Sequence, residues 1–194
     1  MAKTDSGMFA GPVPVMDGIR IVVIDDHPLF RQGVTNALAL EPSFQVIGEA
    51  ANGVEALQLI RKLKPDVAIL DINLPGMNGQ QVAHCIAQDS LPTRVLLVTA
   101  YDDCEQVLHA AWSGARGYCS KDVNPAWLKQ TVLEIMKGNY VMGDRIMTRL
   151  EFEKWLAEET EKAQRMYSEP GTPFRPLSRR KNGRVRLYRT RAEQ

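Results

Sequence analysis

Five residues with reactive or ion-binding side chains each stand directly after a short apolar run, or within two residues of one: Asp25, Asp26, Asp71, Thr99 and Lys121. Three carboxylates held close together would repel one another and raise one another's pKa unless a cation lay among them. Hard oxygen ligands of this kind suit Mg²⁺. An aspartate beside Mg²⁺ is a competent nucleophile toward phosphorus, and a lysine and a hydroxyl could hold the oxygens of an arriving phosphoryl group.

These side chains can act together only if the apolar runs are neighbouring strands of one sheet. The runs are short and rich in β-branched residues, which predicts buried strands at 19–24, 44–50, 67–70, 95–98 and 117–119. Apolar residues at helical spacing follow each strand, over 28–40, 53–63 (with Asn52 as N-cap), 80–88, 103–112 and 125–136. Five such units predict an α/β fold with a doubly wound, five-stranded parallel sheet, whose ligands bind outside the carboxyl ends of the strands.

Four segments of the chain resemble the motifs of one protein family. They are Val23-Ile24-Asp25-Asp26-His27-Pro28, the stretch 69–79 that includes Asp71, Val98-Thr99-Ala100, and the stretch 117–122 that includes Lys121. Over about residues 19–138 the chain is similar to the receiver domain of two-component response regulators, a flavodoxin-like fold. We predict that His27, inside the first motif, helps to begin the first helix rather than taking part in chemistry.

The resemblance implies a phosphoacceptor and a metal site. Asp71 would receive a phosphoryl group from the phosphohistidine of a sensor histidine kinase. Mg²⁺ would be held by Asp71, by Asp26 directly, by Asp25 through water and by the backbone carbonyl of Asn73. The protein would then be a phosphoacceptor rather than an enzyme, with at most slow self-dephosphorylation.

The resemblance also implies a switch. Thr99 and Lys121 would contact the phosphoryl group, and Tyr118 would turn inward as Thr99 shifts. The added charge would favour one arrangement over the other, so that the face formed by the fourth helix, fifth strand and fifth helix changes shape. The positions expected to tune access of phosphate and water are Asn73, Ala100 and Tyr101.

The sequence after the receiver predicts a helix and then a different kind of segment. Residues 144–167 predict one long helix capped by Asp144, which either rests on its own receiver or bridges domains, or acts as a dimer-forming signalling helix. Residues 174–180 resemble the opening of the LuxR-type helix-turn-helix of NarL/FixJ response regulators, but Lys181 replaces the expected Glu and no amphipathic helix follows. We therefore expect a DNA-binding domain that is cut short, with a frameshift as one hypothesis for the cause.

These patterns divide the chain into four parts, and charge is distributed unevenly among them. We predict a mobile leader at 1–18, the receiver at 19–138, a helical linker at 139–173, and at 174–194 a helix-turn-helix remnant with a basic, disordered tail. The net charge of +1 conceals an uneven distribution, because residues 170–194 carry eight positive and one negative side chain. Such a tail could attract phosphates without reading a base sequence.

Composition narrows the class of protein further. No apolar run approaches the ~20 residues that span a bilayer, and no signal peptide is recognisable, so we expect a cytoplasmic protein that does not bind membranes. Three cysteines without metal-ligand spacing do not indicate a disulfide framework or a metal centre. The expected partners are a sensor histidine kinase, a second copy of the chain on phosphorylation, and DNA only in a full-length form.

Three functions other than transcriptional regulation can be weighed against the sequence. A stand-alone receiver could act as a phosphorelay or protein-interaction switch, with the long helix as its output. A haloacid dehalogenase-type phosphotransferase also uses an aspartate and Mg²⁺, but it places a second acid two residues after its nucleophile, where this chain has Asn73. A dinucleotide-binding domain is disfavoured because no G-x-G-x-x-G follows the first strand.

Overall fold

A single sheet organises the chain. The structure, a computed structural model, describes residues 18–100 and 104–167. Within these ranges the strands are β1 Ile19–Ile24, β2 Phe44–Ala50, β3 Val67–Asp71, β4 Arg94–Thr99, β5 Gly117–Ser120, β6 Tyr140–Met142 and β7 Arg145–Met147. They lie in the order β2-β1-β3-β4-β5-β6-β7, and β1 to β5 form the predicted parallel sheet.

Helices cover both faces of this sheet. They are α1 Pro28–Ala39, α2 Gly53–Leu63, α3 Gly79–Gln88, α4 Cys104–Trp112, α5 Pro125–Met136 and α6 Arg149–Tyr167. One buried cluster lies between the sheet and α1 and α5, and a second lies between the sheet and α2, α3, α4 and α6. In β1, Ile21 and Val23 belong to the first cluster and Val22 and Ile24 to the second, as the two-residue period of a strand requires. The predicted doubly wound α/β fold is confirmed.

Local sequence signals explain where several helices begin. Asn52 caps α2, and its side chain accepts a hydrogen bond from the backbone N–H of Glu55 at 2.9 Å. Asn78 and Gln81 form a reciprocal capping box at the start of α3. Pro28 stands in the first turn of α1, where a missing N–H costs no helical hydrogen bond.

The prediction of one helix from Asp144 is wrong. Residues 140–147 instead form an antiparallel hairpin, in which Gly143 turns the chain with φ +67° and β6 pairs with β5 at the edge of the sheet. The helix begins at Arg149, because Thr148 and Glu151 cap it: the backbone N–H of Thr148 donates to Glu151 Oε2 at 2.8 Å. This Thr-x-x-Glu capping signature was present in the sequence and marks the true start.

Helix α6 packs on the receiver itself, which agrees with the first of the two predicted arrangements. Phe152 is buried and stacks on Tyr140 of β6, with ring centroids 3.8 Å apart and planes 6° apart. Trp112 at the end of α4 donates from Nε1 to Thr160 Oγ1 at 3.2 Å.

In the described part of the chain, no helix has the length and apolar character needed to cross a membrane. The predicted leader up to residue 17 and the basic tail lie outside the described residues, and the predicted domain boundaries stay predictions.

We expect Phe152→Ala to lower the free energy of unfolding by about 3 kcal/mol, because it leaves a cavity beside Tyr140. Most helical stability in proteins comes from packing of the apolar face, so α6 should also lose helicity when this contact is removed. Urea unfolding followed by circular dichroism and tryptophan fluorescence measures both effects. Leu150→Ala, on the same helix at a side chain 78% exposed, is the matched control and should change little; equal stability of the two variants would contradict the packing described.

Candidate functional site

Four adjacent strands bring the predicted site residues to one edge of the sheet. Asp25 follows β1, Asp71 ends β3, Thr99 ends β4, and Lys121 follows β5 directly. These strands are neighbours in the sheet, and their parallel register pairs Ile24 with Leu70, Asp71 with Val98, and Thr99 with Ser120. The convergence that the sequence predicted therefore follows from topology, since the carboxyl ends of parallel strands share one edge.

Lys121 bridges the two buried carboxylates. Its Nζ lies 2.6 Å from Asp25 Oδ2 and 2.9 Å from Asp71 Oδ2. The side chains of Asp25 and Asp71 are only 1% and 2% exposed, and that of Lys121 is 11% exposed. The contact with Asp71 is a hydrogen bond, whereas the approach to Asp25 is an ion pair that lacks hydrogen-bond geometry. One ammonium thus offsets two negative charges that burial alone would make very unfavourable.

The same burial perturbs the protonation of the site. Burial raises the pKa of the Asp71 carboxyl, and nearby Asp25 adds to this effect; the contacts with Lys121 and with the backbone N–H of Asn73 offset it in part. For Lys121, burial lowers the pKa of the ammonium, but its contacts with Asp25 and Asp71 outweigh burial and leave the pKa above its ordinary value. Lys121 therefore stays charged, whereas burial makes ionisation of Asp71 less favourable than that of an ordinary aspartate.

A group of potential metal ligands surrounds Asp71. Asp25, Asp26, His27 and Asp71 each offer one ligand atom, and these four atoms all lie within 4.8 Å of one another. Asp25 Oδ2 is buried against the Lys121 ammonium, whereas Asp25 Oδ1 and Asp26 Oδ1 face the His27 ring. Three carboxylates supply the hard oxygen ligands that suit a divalent cation such as Mg²⁺. The residues present therefore fit a metal at this edge of the sheet.

His27 lies at the start of α1, as predicted, and its ring also lies beside two aspartates. It is the N-cap residue of α1, but its side chain makes no capping hydrogen bond. Instead, its Nδ1 lies 2.8 Å from Asp26 Oδ1 and 3.2 Å from Asp25 Oδ1. His27 begins the helix only through its backbone carbonyl, which accepts from Arg31; its ring belongs to the acidic site.

The predicted switch residues lie beside the site, and the access positions are partly described. Thr99 is buried; its hydroxyl donates to Gln106 Oε1 at 3.4 Å, and its carbonyl accepts from the backbone N–H of Lys121 at 2.7 Å. Tyr118 is completely buried in the cluster that also contains Phe152. Asn73 and Ala100 are exposed, and the backbone N–H of Asn73 donates to Asp71 Oδ1 at 3.2 Å. Tyr101 lies outside the described residues.

Sequence reasoning missed two further contacts, both from α1. Lys121 Nζ lies 4.7 Å from the centre of the Phe30 ring, a cation–π arrangement. Arg31 donates from Nη1 to the backbone carbonyl of Asp25 at 2.6 Å. No local pattern marks these residues, because their role depends on how α1 packs against the ends of β1 and β5.

Residues 21–133 match the family described as the response regulator receiver domain. The match covers more than half of the chain, so the chain belongs to this family, as predicted, and not to the phosphotransferase or dinucleotide-binding alternatives. Among its relatives is the transcriptional regulatory protein NarL of Mycobacterium tuberculosis, which is 45% identical over 134 residues. That alignment covers 69% of this chain and 62% of the relative, so the chain spans less than two thirds of that regulator's length.

Solved structures support the same assignment. The signal receiver domain of the M. tuberculosis response regulator NarL is 48% identical and matches with a TM-score of 0.62, covering 63% of this chain and 98% of that one. A LuxR-family two-component response regulator from Aurantimonas sp. SI85-9A1 is 32% identical with a TM-score of 0.62, covering 74% of this chain and 99% of that one. The chain is thus similar to NarL-type, LuxR-family response regulators.

Gly79 permits the close packing that fixes Asp71. A Cβ at Gly79 would collide with the backbone oxygen of Asp71, whereas a Cβ at Gly33, in the exposed face of α1, would meet nothing within 4 Å. We expect Gly79→Ala to lower the free energy of unfolding by about 1–3 kcal/mol through overpacking. Gly33→Ala should raise it by up to about 1 kcal/mol, because alanine is the better helix former. Chemical denaturation checks both; the same sign for the two variants would contradict the packing inferred here.

The raised pKa of Asp71 predicts that the free energy of unfolding depends on pH. The folded protein binds this proton more tightly than the unfolded chain, so the contribution of Asp71 to stability falls as pH rises from the ordinary value for an aspartate through the raised one. In the absence of divalent cations, Asp71→Asn should therefore stabilise the protein at neutral pH, and the difference should shrink in acid. Urea unfolding across this pH range measures it, with exposed Asp144→Asn as control. Destabilisation at neutral pH would mean that the pairing with Lys121 outweighs burial.

Proposed function

We propose that this protein is a phosphorylation-controlled response regulator in which Asp71 accepts a phosphoryl group from the phosphohistidine of a sensor histidine kinase. The observation that carries this proposal is the position of Asp71: a buried carboxylate at the end of β3, 2.9 Å from the Lys121 ammonium and beside two further aspartates. Family membership over residues 21–133 supports it independently.

The residues of the site have separate parts in this reaction. An oxygen of Asp71 forms a bond to phosphorus as the phosphorus–nitrogen bond to the kinase histidine breaks, and the electron pair of that bond stays on the histidine. Lys121 is placed to move from Asp71 to an oxygen of the arriving group, and Thr99 is the neighbouring hydroxyl. Mg²⁺, held by Asp25, Asp26, Asp71 and the carbonyl of Asn73, would offset the negative charge of the phosphoryl oxygens.

The proposed product is the phosphoprotein, so the chain is an acceptor and not a turnover enzyme. Phosphorylation replaces a carboxylate with a group of greater charge and more acceptor oxygens. Lys121 would then no longer pair with the carboxylates of both Asp25 and Asp71, because a phosphoryl oxygen competes for its ammonium. We propose that the rearrangement passes through Thr99 and Tyr118 to the face formed by α4, β5 and α5, where a second copy of the chain binds. In a full-length form this change would control transcription through a LuxR-type DNA-binding domain.

A second candidate function has support from α6. This helix is docked on α4 and on the edge of the sheet through Trp112 and Phe152. A receiver whose output is α6 would act as a phosphorelay or protein-interaction switch without binding DNA. Footprinting on DNA tests both candidates: sequence-specific protection by this 194-residue chain would contradict the stand-alone receiver and also the expectation that the DNA-binding domain is cut short.

Incubation with a small-molecule phosphodonor such as acetyl phosphate tests the acceptor assignment. With Mg²⁺, intact-mass spectrometry should show the addition of one phosphoryl group, and hydroxylamine should remove it because an acyl phosphate is labile to this nucleophile. Asp71→Asn should abolish the addition, while Asp144→Asn, an exposed aspartate of the hairpin, should keep it. Omission of Mg²⁺ should reduce labelling at least tenfold, in line with several kcal/mol of charge stabilisation by a metal. Equal labelling of wild type and Asp71→Asn would overturn the assignment.

A further inference from the structure

We infer that His27 is an additional protein ligand to the divalent cation and that it shifts the metal preference of the site toward Mn²⁺ relative to Mg²⁺. This inference rests on the proposed function, because it concerns the same metal site. It differs from the metal set that the receiver resemblance implies, which consists of oxygen ligands only: Asp25, Asp26, Asp71 and the carbonyl of Asn73.

The distances between His27 and the carboxylates fit ligands of one metal ion. In an octahedral Mg²⁺ site with bonds of about 2.1 Å, neighbouring ligand atoms lie about 3.0 Å apart and opposite ones about 4.2 Å. His27 Nδ1 lies 2.8 Å from Asp26 Oδ1 and 3.2 Å from Asp25 Oδ1, which are separations of neighbouring corners. With Asp71 included, the four ligand atoms all fall within 4.8 Å of one another. A small inward adjustment would bring them all onto one ion.

The backbone of His27 is held beside the carboxylates, while its side chain is 68% exposed. The N–H of His27 donates to Asp25 Oδ1 at 2.8 Å, and its carbonyl accepts from the N–H of Arg31 at 3.0 Å. Pro28 follows and fixes the first turn of α1. Because Nδ1 is the ring nitrogen nearer the backbone, this anchoring puts it within reach of the carboxylates, and the contacts of Nδ1 with Asp25 and Asp26 orient the ring. The side chain makes no capping hydrogen bond, and its ring faces Asp25 and Asp26 instead.

An imidazole ligand changes which metal ion the site prefers. Imidazole nitrogen is a softer donor than carboxylate oxygen and binds later first-row divalent metals better than it binds Mg²⁺. A site of three carboxylates and one imidazole therefore keeps Mg²⁺ as a possible ion but gains affinity for Mn²⁺. The alternative is that Nδ1 is protonated and only donates a hydrogen bond to Asp26 and Asp25. In that case the ring does not coordinate the ion.

Pulsed electron paramagnetic resonance on the Mn²⁺-loaded protein distinguishes these two roles. Ligation predicts electron spin-echo modulation from a directly bound ¹⁴N nucleus. The modulation should disappear in His27→Ala and persist in His84→Ala, which removes an exposed histidine from α3. Isothermal titration calorimetry should show that His27→Ala lowers Mn²⁺ affinity by about tenfold and Mg²⁺ affinity by less than about threefold, with His84→Ala unchanged.

The outcomes separate this inference from the proposed function. If Mn²⁺ and Mg²⁺ bind but no nitrogen modulation appears, or if His27→Ala keeps it, His27 is not a ligand and the inference is overturned while the metal site stands. If neither ion binds to the wild-type protein, the metal dependence in the proposed function is overturned as well. The nitrogen signal of the wild-type protein needs no variant, so poor folding of His27→Ala would not prevent a decision.

Discussion

One ammonium group shared by two buried carboxylates is the interaction on which this site depends. Asp25 and Asp71 come from different strands, and removing water from two negative charges so close together is unfavourable unless a cation accompanies them. Lys121 supplies that cation from a third strand end, 2.6 and 2.9 Å away. The same contacts raise the pKa of Lys121 and partly oppose the raised pKa of Asp71. Any group that joins Asp71 must therefore redistribute the contacts of Lys121.

The fold supports this arrangement through packing close to the backbone. Parallel register sets the strand ends side by side, and the absence of a side chain at Gly79 lets α3 begin against the backbone of Asp71. From the other face, α1 places Arg31 on the carbonyl of Asp25 and Phe30 beside the Lys121 ammonium. The buried carboxylates of Asp25 and Asp71 thus lie between two helices from opposite faces of the sheet, and their low exposure strengthens the ion pairs with Lys121.

The edge of the sheet beyond β5 links the site to the last described helix. Tyr118 of β5 pairs in register with Met142 of β6, and the hairpin leads into α6, whose Phe152 lies in the same buried cluster as Tyr118. Helix α6 also contacts the end of α4 through Trp112 and Thr160. Tyr118 is therefore joined to α6 by continuous packing through the hairpin and Phe152.

The sequence alone determined the five βα units, the capping by Asn52 and the convergence of Asp25, Asp71 and Lys121, because strand and helix periods and the rule for parallel strand ends are local or topological properties. The sequence pattern led to a wrong start for the last helix. The charged residues typical of this helix begin before it, at residues 144–145, so the capping signature at Thr148 was overlooked. Only the tertiary structure decided which oxygen of each carboxylate faces Lys121, how α1 contributes Phe30 and Arg31, and that the His27 ring turns to the acidic site. Those features depend on the angles and distances between elements far apart in the chain, which no spacing of residue types encodes.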